Sequence, residues 1–447
     1  MDATLNDGRG FRWSTAALAR RVPLALVLLL AAALGMFQAG ELSLWRDEGF
    51  SVLLARTPWS EFGRVIVETQ GNMALYYLLL KGWLLFGDGE AAIRSLSALA
   101  AVGAVAATYG FGARLFGRKV GLIAALLLAV NSFLVQYAQE ARGYSLATFL
   151  VALACFFFVR GVDAGSTRDW AGYAAAMSLA VYAHLFAAFV LLAHAVTLCF
   201  LPRGRRSRPT LALFAASALA APVGITVLLT DAGQIDWIEQ PSLRSLGFVA
   251  RSLAGGTAIA LVVYAGLGLV GLISAARGEP AWKPVLLTST AALPVAVPFV
   301  LSFAKPMLVD RYTIVALPAV VTLVALGILR LRQPLAVGAA LTLAVAASAI
   351  GTWNYFANAE KEDFRAATAY VFEQAGEEDA IIFYRPTRRV PVEYYVHGRT
   401  GTFPDPLYPA AAWGEFDLIS DYRSERPAMA HLADELSRRR TVWLFLG

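Results

Sequence analysis

Cysteine, histidine and charge are what this 447-residue chain has least of: two cysteines, four histidines and a 16% share of charged residues. Cys155 and Cys199 each lie inside an apolar run and fit no metal-ligand spacing, which excludes a disulfide framework and a cysteine-based zinc site. The histidines are too scattered to form a ligand set, while a divalent cation held by carboxylates alone stays open. An ordinary soluble chain carries roughly 25% charged residues, so that class is excluded as well. The chain also has no glycine-rich phosphate loop, no serine nucleophile elbow and no zinc signature. Any phosphate this protein handles must be held by side chains.

What the chain does have is apolar length. Hydrophobic residues make up 58% of it, in runs at about 22–39, 95–113, 120–136, 144–159, 170–183, 185–201, 210–230, 246–274, 284–303, 312–329 and 334–353. This predicts a polytopic α-helical membrane protein with about 11 transmembrane helices. The first run follows Arg20-Arg21 but ends without a small-residue cleavage pattern, so it reads as a retained span. A twelfth stretch, NMALYYLLLKGWLLFG (72–87), is short for a span and has Lys81 in its middle; it reads as an interfacial helix.

Loop charge sets the orientation. PRGRRSRP (202–209) and RLFGRK (114–119) are basic without any acid, and the N-terminus and RLR (330–332) add further arginines. The positive-inside rule places all four in the cytoplasm, which requires 72–87 not to span. The net charge of +6 is thereby explained by lipid and orientation, not by nucleic acid. The opposite, outer side then collects the 40–94 loop, 136–146, 183–185, 230–245 and 304–312. The chain after residue 354 joins them.

Three constellations on that side could carry chemistry. Asp47-Glu48, beside Trp45 and Arg46, is either a solvated pair closing a helix end, with Trp45 as interfacial anchor, or a base with an acidic neighbour. In QEARGY (139–144), Glu140 and Arg142 either pair with each other or let Arg142 clamp an anionic head group, since guanidinium matches phosphate bidentately. Tyr144 could add a hydrogen bond there. In KPMLVDRY (305–312), Lys305, Asp310 and Arg311 either snorkel to the interface or mark a substrate path. His184, between apolar runs, reads first as a packed hydrogen-bonding residue, and His194 more so.

From about 356 the composition becomes that of a small α/β domain on the outer side, 356–447, distinct from the membrane part, 1–355. AIIFY (380–384) reads as a strand, VPVEYYV (390–396) as a strand or short helix, ERPAMAHLADELSRRR (425–440) as a helix and TVWLFLG (441–447) as a closing strand. Ending in an apolar strand reads as an abbreviated domain.

The order of the segments LSLWRDEGF, LYYLLLKGWLLFGDGEAAIRSLSAL, RLFGRKVGLIAALLLAVNSF and QYAQEARGYSL resembles the GT-C membrane glycosyltransferases. The similar branch is that of the protein O-mannosyltransferases and the lipid A aminoarabinose transferase. It covers about residues 20–200, and more loosely KPMLVDRYTIVALPAV. The resemblance implies a GT-C-like fold in a cytoplasmic (inner) membrane. The implied activity is inverting transfer of a sugar from a polyprenyl-monophosphate carrier to a protein, glycan or lipid-linked hydroxyl on the outer face. A carrier already dissolved in the bilayer also accounts for the missing nucleotide-binding loop. By this likeness Asp47 is the general base and Glu48 its acidic neighbour. Arg142, Lys305, Arg311 and Tyr144 would hold the donor phosphate, with Arg46, Glu140, Asn72 and His184 in support. Many relatives carry Lys-Pro-Pro or His-Pro-Pro before LYY; here QGNMALYY puts Asn72 in that region, a departure that leaves the donor open. The competing readings are a polymerase or ligase using a diphosphate-linked oligosaccharide, a lipid or glycan transporter, which would show paired repeats, and a non-catalytic scaffold.

Overall fold

The structure, a computed structural model, describes residues 15–229, 237–376, 378–401, 403–421 and 429–446. Helix α1 (Thr15–Met36) leads through a tight turn to α2 (Arg46–Arg56) and α3 (Trp59–Val65). A π turn and a 3-10 turn carry the chain into α4 (Ala74–Trp83), which at 10 residues reaches about 15 Å, half the hydrocarbon thickness of a bilayer. The bundle continues with α5 (Glu90–Phe116), α6 (Arg118–Ala129), α7 (Ser132–Ala138), α8 (Tyr144–Ala164), α9 (Thr167–Ala183), α10 (Ala188–Leu198) and α11 (Ser207–Leu229). Beyond the segment 230–236, which lies outside the described residues, follow α12 (Leu243–Leu253), α13 (Ala258–Gly278), α14 (Trp282–Leu301), α15 (Leu317–Arg330) and α16 (Pro334–Asn358).

These apolar runs become helices because a bilayer offers no partner for backbone N–H and C=O groups, so each segment must satisfy its own. Among the described residues, seven helical segments are long and apolar enough to cross a membrane, and eight if α6 and α7, bent by 60°, count as one broken span. Residues 21–36 and 185–198 form shorter apolar helices, and α9 has 17 residues. The chain is a multi-pass membrane protein. The eleven apolar runs are helical over their described residues, with two corrections. The run 120–136 is bent by 60° between α6 and α7. The run 246–274 is not one helix: it breaks between α12 and α13, where Gly255 and Gly256 adopt φ of 101° and 86°. No L side chain takes that conformation readily.

Packing is close where small residues allow it. α5 lies against α6 and α8, α8 against α9, and α13 against α15. A Cβ at Gly327 would sit 1.9 Å from the carbonyl oxygen of Leu267, so glycine lets α13 and α15 meet at backbone distance. Polar contacts gather at the two ends of the bundle. At one, Lys283 donates to the Leu115 carbonyl and pairs with Glu279, which also meets Arg330, while Arg205 reaches the Val162 carbonyl. At the other end lie α2 and the starts of α5 and α8.

The C-terminal segment contains α17 (Phe364–Gln374), β1 (Ala380–Phe383), α18 (Arg389–Val396), β2 (Asp405–Tyr408), α19 (Met429–Ser437) and β3 (Val442–Phe445). The three strands form a parallel sheet in the order β2-β1-β3. VPVEYYV is thus a helix, and β2 is a strand that periodicity did not reveal; the first part of the expected 425–440 helix lies outside the described residues. Phe364, Val371, Ile381, Phe383, Val392, Val396 and Phe445 make a small core of their own. The segment seats on α2 through α18, so closely that a Cβ on Gly49 would lie 3.0 Å from Pro391 Cα.

Candidate active site

Asp47 and Glu48 occupy the first turn of α2, where unpaired backbone N–H groups and the helix dipole favour negative charge. The two neighbours then part company. Asp47 keeps an open face: its side chain is 16% exposed, and it pairs with the half-exposed Arg46 at 3.1 Å. Burial pushes its carboxyl up, but Arg142, Arg46 and Arg311 outweigh that and hold it below the ordinary aspartate range. It is a carboxylate at neutral pH, which a general base requires.

Glu48 is fully buried and saturated. Arg94, entering from the first turns of α5, forks onto both oxygens, Nε to Oε1 and Nη2 to Oε2, each at 2.8 Å. The Ala141 N–H donates to Oε1 at 2.9 Å, and Lys361 Nζ donates to Oε2 at 3.1 Å. Burial alone would raise this carboxyl; Lys361, Arg94 and the Ala141 amide overcome it and bring it down to about 2. Arg94 is itself anchored by the carbonyls of Ala39, Leu42 and Ser43. Glu48 therefore ties α2, α5, the α7–α8 link and the C-terminal segment to one point.

Glu140 and Arg142 do not pair with each other. Glu140 is buried, its Oε2 has no hydrogen-bond partner, and burial together with Glu48 and Asp47 pushes its carboxyl up to about 7 against the pull of Lys361 and Arg311. Arg142 is buried too. Its Nη1 donates to the Tyr77 hydroxyl at 2.8 Å, while Nε is left without a partner. Arg311 lies against the rings of Trp237 and Tyr312 at 5.3 and 5.6 Å, with its Nε also unpartnered. His184 sits among Tyr144, Phe186 and Tyr312, ring centroids 5.0–5.6 Å away. Burial and the charges of Arg142 and Arg311 drive its imidazole down to about 3, so it is neutral. Its Nδ1 accepts from the Phe186 N–H, which leaves the proton on Nε2, again without a partner. The Trp45 indole N–H is a further buried donor left over.

Buried polar atoms in folded proteins are nearly always satisfied. Five unsatisfied ones, from Trp45, Glu140, Arg142, His184 and Arg311, lie at this end of the bundle with the partly exposed Asp47 carboxylate, where they can form hydrogen bonds to a ligand. Two guanidinium N–H groups, an imidazole N–H and an indole N–H suit an anion and a hydroxylated ring.

The sequence-predicted residues thus divide. Asp47, Glu48, Arg46, Glu140, Arg142, Tyr144, His184 and Arg311 share one end of the bundle, linked by the charges and ring contacts above. Lys305 is exposed and makes no ion pair with a described acid. Asn72 lies on the turn Gly71–Met73, half-buried, with its Oδ1 left without a hydrogen-bond partner. Two residues were missed: Arg94, legible only as an arginine just before an apolar run, and Lys361, one charge in the EKED stretch. Among the described residues no group of three or more His, Cys, Asp or Glu side chains is gathered to hold a metal ion.

Known structures share this architecture. ArnT from Cupriavidus metallidurans bound to undecaprenyl phosphate superposes with a TM-score of 0.63, at 15% identity over 84% of this chain and 85% of that one. Its apo form gives 0.60 at 16% identity, covering 86% and 85%. The Archaeoglobus fulgidus oligosaccharyltransferase gives 0.57 at 13% identity, over 84% of this chain and 61% of that chain. The chain has the GT-C fold. In agreement, the family model for dolichyl-phosphate-mannose-protein mannosyltransferases matches residues 72–229, which hold α4 to α11. No curated protein sequence matches the chain significantly.

Proposed function

We propose that this GT-C-fold protein transfers a sugar from a polyprenyl-monophosphate carrier to a hydroxyl acceptor, on the outer face of the cytoplasmic membrane and with inversion. The observation that carries the reading is the ionised, open-faced Asp47 beside the unsatisfied donors of Arg142, Arg311 and His184. Support comes from neighbours of the same fold: one is described bound to undecaprenyl phosphate, another in complex with an inhibitory peptide and a dolichol-phosphate.

Asp47 takes the proton of the acceptor hydroxyl as its oxygen bonds to the anomeric carbon. The bond from that carbon to the phosphate oxygen breaks through an oxocarbenium-like state, and the lipid phosphate leaves with the electron pair. Charge grows on the phosphate during this step, where Arg142, Arg311 and the neutral His184 N–H stabilise it. Glu48 is saturated and so has no capacity for substrate; its part is to hold α2. The C-terminal segment and the site lie on the outer side because the basic loops at the other bundle end, 114–119 and 202–209, belong in the cytoplasm.

The test is to incubate membranes containing the protein with a panel of labelled polyprenyl-phosphate and polyprenyl-diphosphate sugars. A monophosphate donor should give a labelled product, and Asp47→Asn should lower transfer by about 10²–10⁴-fold with folding intact. Transfer from diphosphate carriers alone, or undiminished transfer by Asp47→Asn, overturns the reading.

A further inference from the structure

Asp47 has little to hold it. Its ion-pair partner, Arg46, is its own chain neighbour and is half exposed. What fixes its place is the adjacent Glu48, and through Glu48 the first turn of α2. Three of the four donors to Glu48 belong to the helical bundle: two from Arg94 and one from the Ala141 amide. The fourth, Lys361, does not. It lies in the link between α16 and α17, 313 positions along the chain, and delivers its ammonium to Glu48 Oε2 at 3.1 Å with the lysine side chain 13% exposed.

That delivery is built, not incidental. The residues that follow Lys361 are locked to the loop before α2: the Ser43 hydroxyl donates to the Glu362 carbonyl at 3.0 Å, and the Phe364 N–H donates to Ser43 Oγ at 3.1 Å. The Leu44 N–H donates to the Tyr395 hydroxyl at 2.7 Å, and Arg365 pairs with Glu90 at 3.0 Å, beside Arg94 on α5. Lys361 is also the cation whose field acts most on the unpartnered Glu140. Two buried acids, Glu48 and Glu140, therefore share a positive charge that arrives only when the C-terminal segment is seated.

We propose that Lys361 is a positioning residue for Asp47: the C-terminal segment inserts this ammonium into the site to fix Glu48, and with it the angle at which Asp47 meets the acceptor. This rests on the glycosyl-transfer reading for its kinetic consequence, though not for its structural one. A lysine on a long flexible stem suits the task, since it brings a point charge across the joint without demanding the planar geometry that Arg94 already occupies.

Two measurements separate the possibilities. In a transfer assay with the preferred polyprenyl-phosphate sugar, Lys361→Gln should lower kcat by about 10- to 100-fold, the cost of a misplacement near 1 Å. The donor KM should stay within about threefold, because Arg142 and Arg311 are untouched, and Lys361→Arg should restore most of kcat. Hydrogen exchange on the purified full chain reads the placement without any substrate. Residues 44–50 should exchange faster in Lys361→Gln than in wild type and Lys361→Arg, while 380–396 stays protected. The proposal is overturned by an unchanged kcat in Lys361→Gln. It is equally overturned by exchange that leaves 44–50 unchanged, or that rises across 380–396 together with it, which would make Lys361 a docking contact alone. If the wild-type chain uses no polyprenyl-phosphate donor, the transfer reading fails, and the exchange result decides the placement of α2 on its own.

Discussion

Removing Arg94 asks the most of the site's architecture. In Arg94→Met, Glu48 stays buried with Lys361 and the Ala141 amide as partners but loses the bidentate fork, and the Ala39, Leu42 and Ser43 carbonyls lose their donors. Breaking a buried ion pair from one side costs about 3–5 kcal/mol, because the remaining charge is stranded. Glu48→Met strands Arg94 in the same way, softened by those three carbonyls. The double variant Glu48→Met/Arg94→Met removes both charges but leaves three carbonyls, the Ala141 N–H and the Lys361 ammonium without their bonds, at about 1 kcal/mol each. It should therefore cost about 5 kcal/mol, less than the sum of the two single losses, and the cycle should show a coupling of at least about 2 kcal/mol. The structure supplies the reporter: Cys155 is buried and Cys199 exposed, so in a Cys199→Ala background a thiol-reactive dye labels Cys155 only as the bundle opens. Additive losses, or a single Arg94→Met variant within 1 kcal/mol of its background, would refute the reasoning. Sugar transfer gives a second reading, since the double variant should remain at least about tenfold slower than wild type at a temperature where both are folded.

Arg142→Ala should raise the donor KM by an order of magnitude or more while acceptor KM changes little, measured by titrating each substrate at fixed levels of the other. Folding stability should respond to the two acids in opposite senses. Glu48, depressed to about 2, stabilises the fold above the unfolded glutamate range near 4.5, and that contribution is lost as pH falls from about 4.5 toward 2. Glu140, raised to about 7, holds a proton in the native state that the unfolded chain releases, so stability declines as pH rises from about 4.5 to 7. Glu140→Gln should abolish that decline in dye-monitored melts across the window. Gly327→Ala should destabilise the bundle by about 2 kcal/mol or more, read in the same assay, because its methyl meets the Leu267 carbonyl.

The helices were legible in the sequence because hydrophobic length is a direct demand of the bilayer. The break at Gly255-Gly256 was not, since two glycines inside an apolar run look the same whether the helix continues or unwinds. The site was legible where charge interrupted hydrophobicity: Asp47, Arg142 and Arg311 each stand out against apolar surroundings. Lys361 had no such contrast, lying among the acids of EKED, and its importance comes from a tertiary joint between positions far apart in the chain. Glu48 and Asp47 looked alike in sequence; burial makes one a structural anchor and leaves the other accessible. For VPVEYYV, alternation and helical spacing both fitted so short a run, and its seat on α2 decides the outcome in favour of a helix.

The junction at Glu48 also has a consequence for biosynthesis. Its partners emerge from the ribosome in sequence: Arg94 early, the Ala141 amide next, and Lys361 after α16. A nascent chain that has inserted α1 to α16 still carries the acid short of one counter-charge. Chains generally fold unit by unit as they are made, with contacts of long sequence separation closing last. The junction is thus completed only after α16 has been made, and a translation product cut short before residue 361 would be an inserted bundle with an unfinished centre.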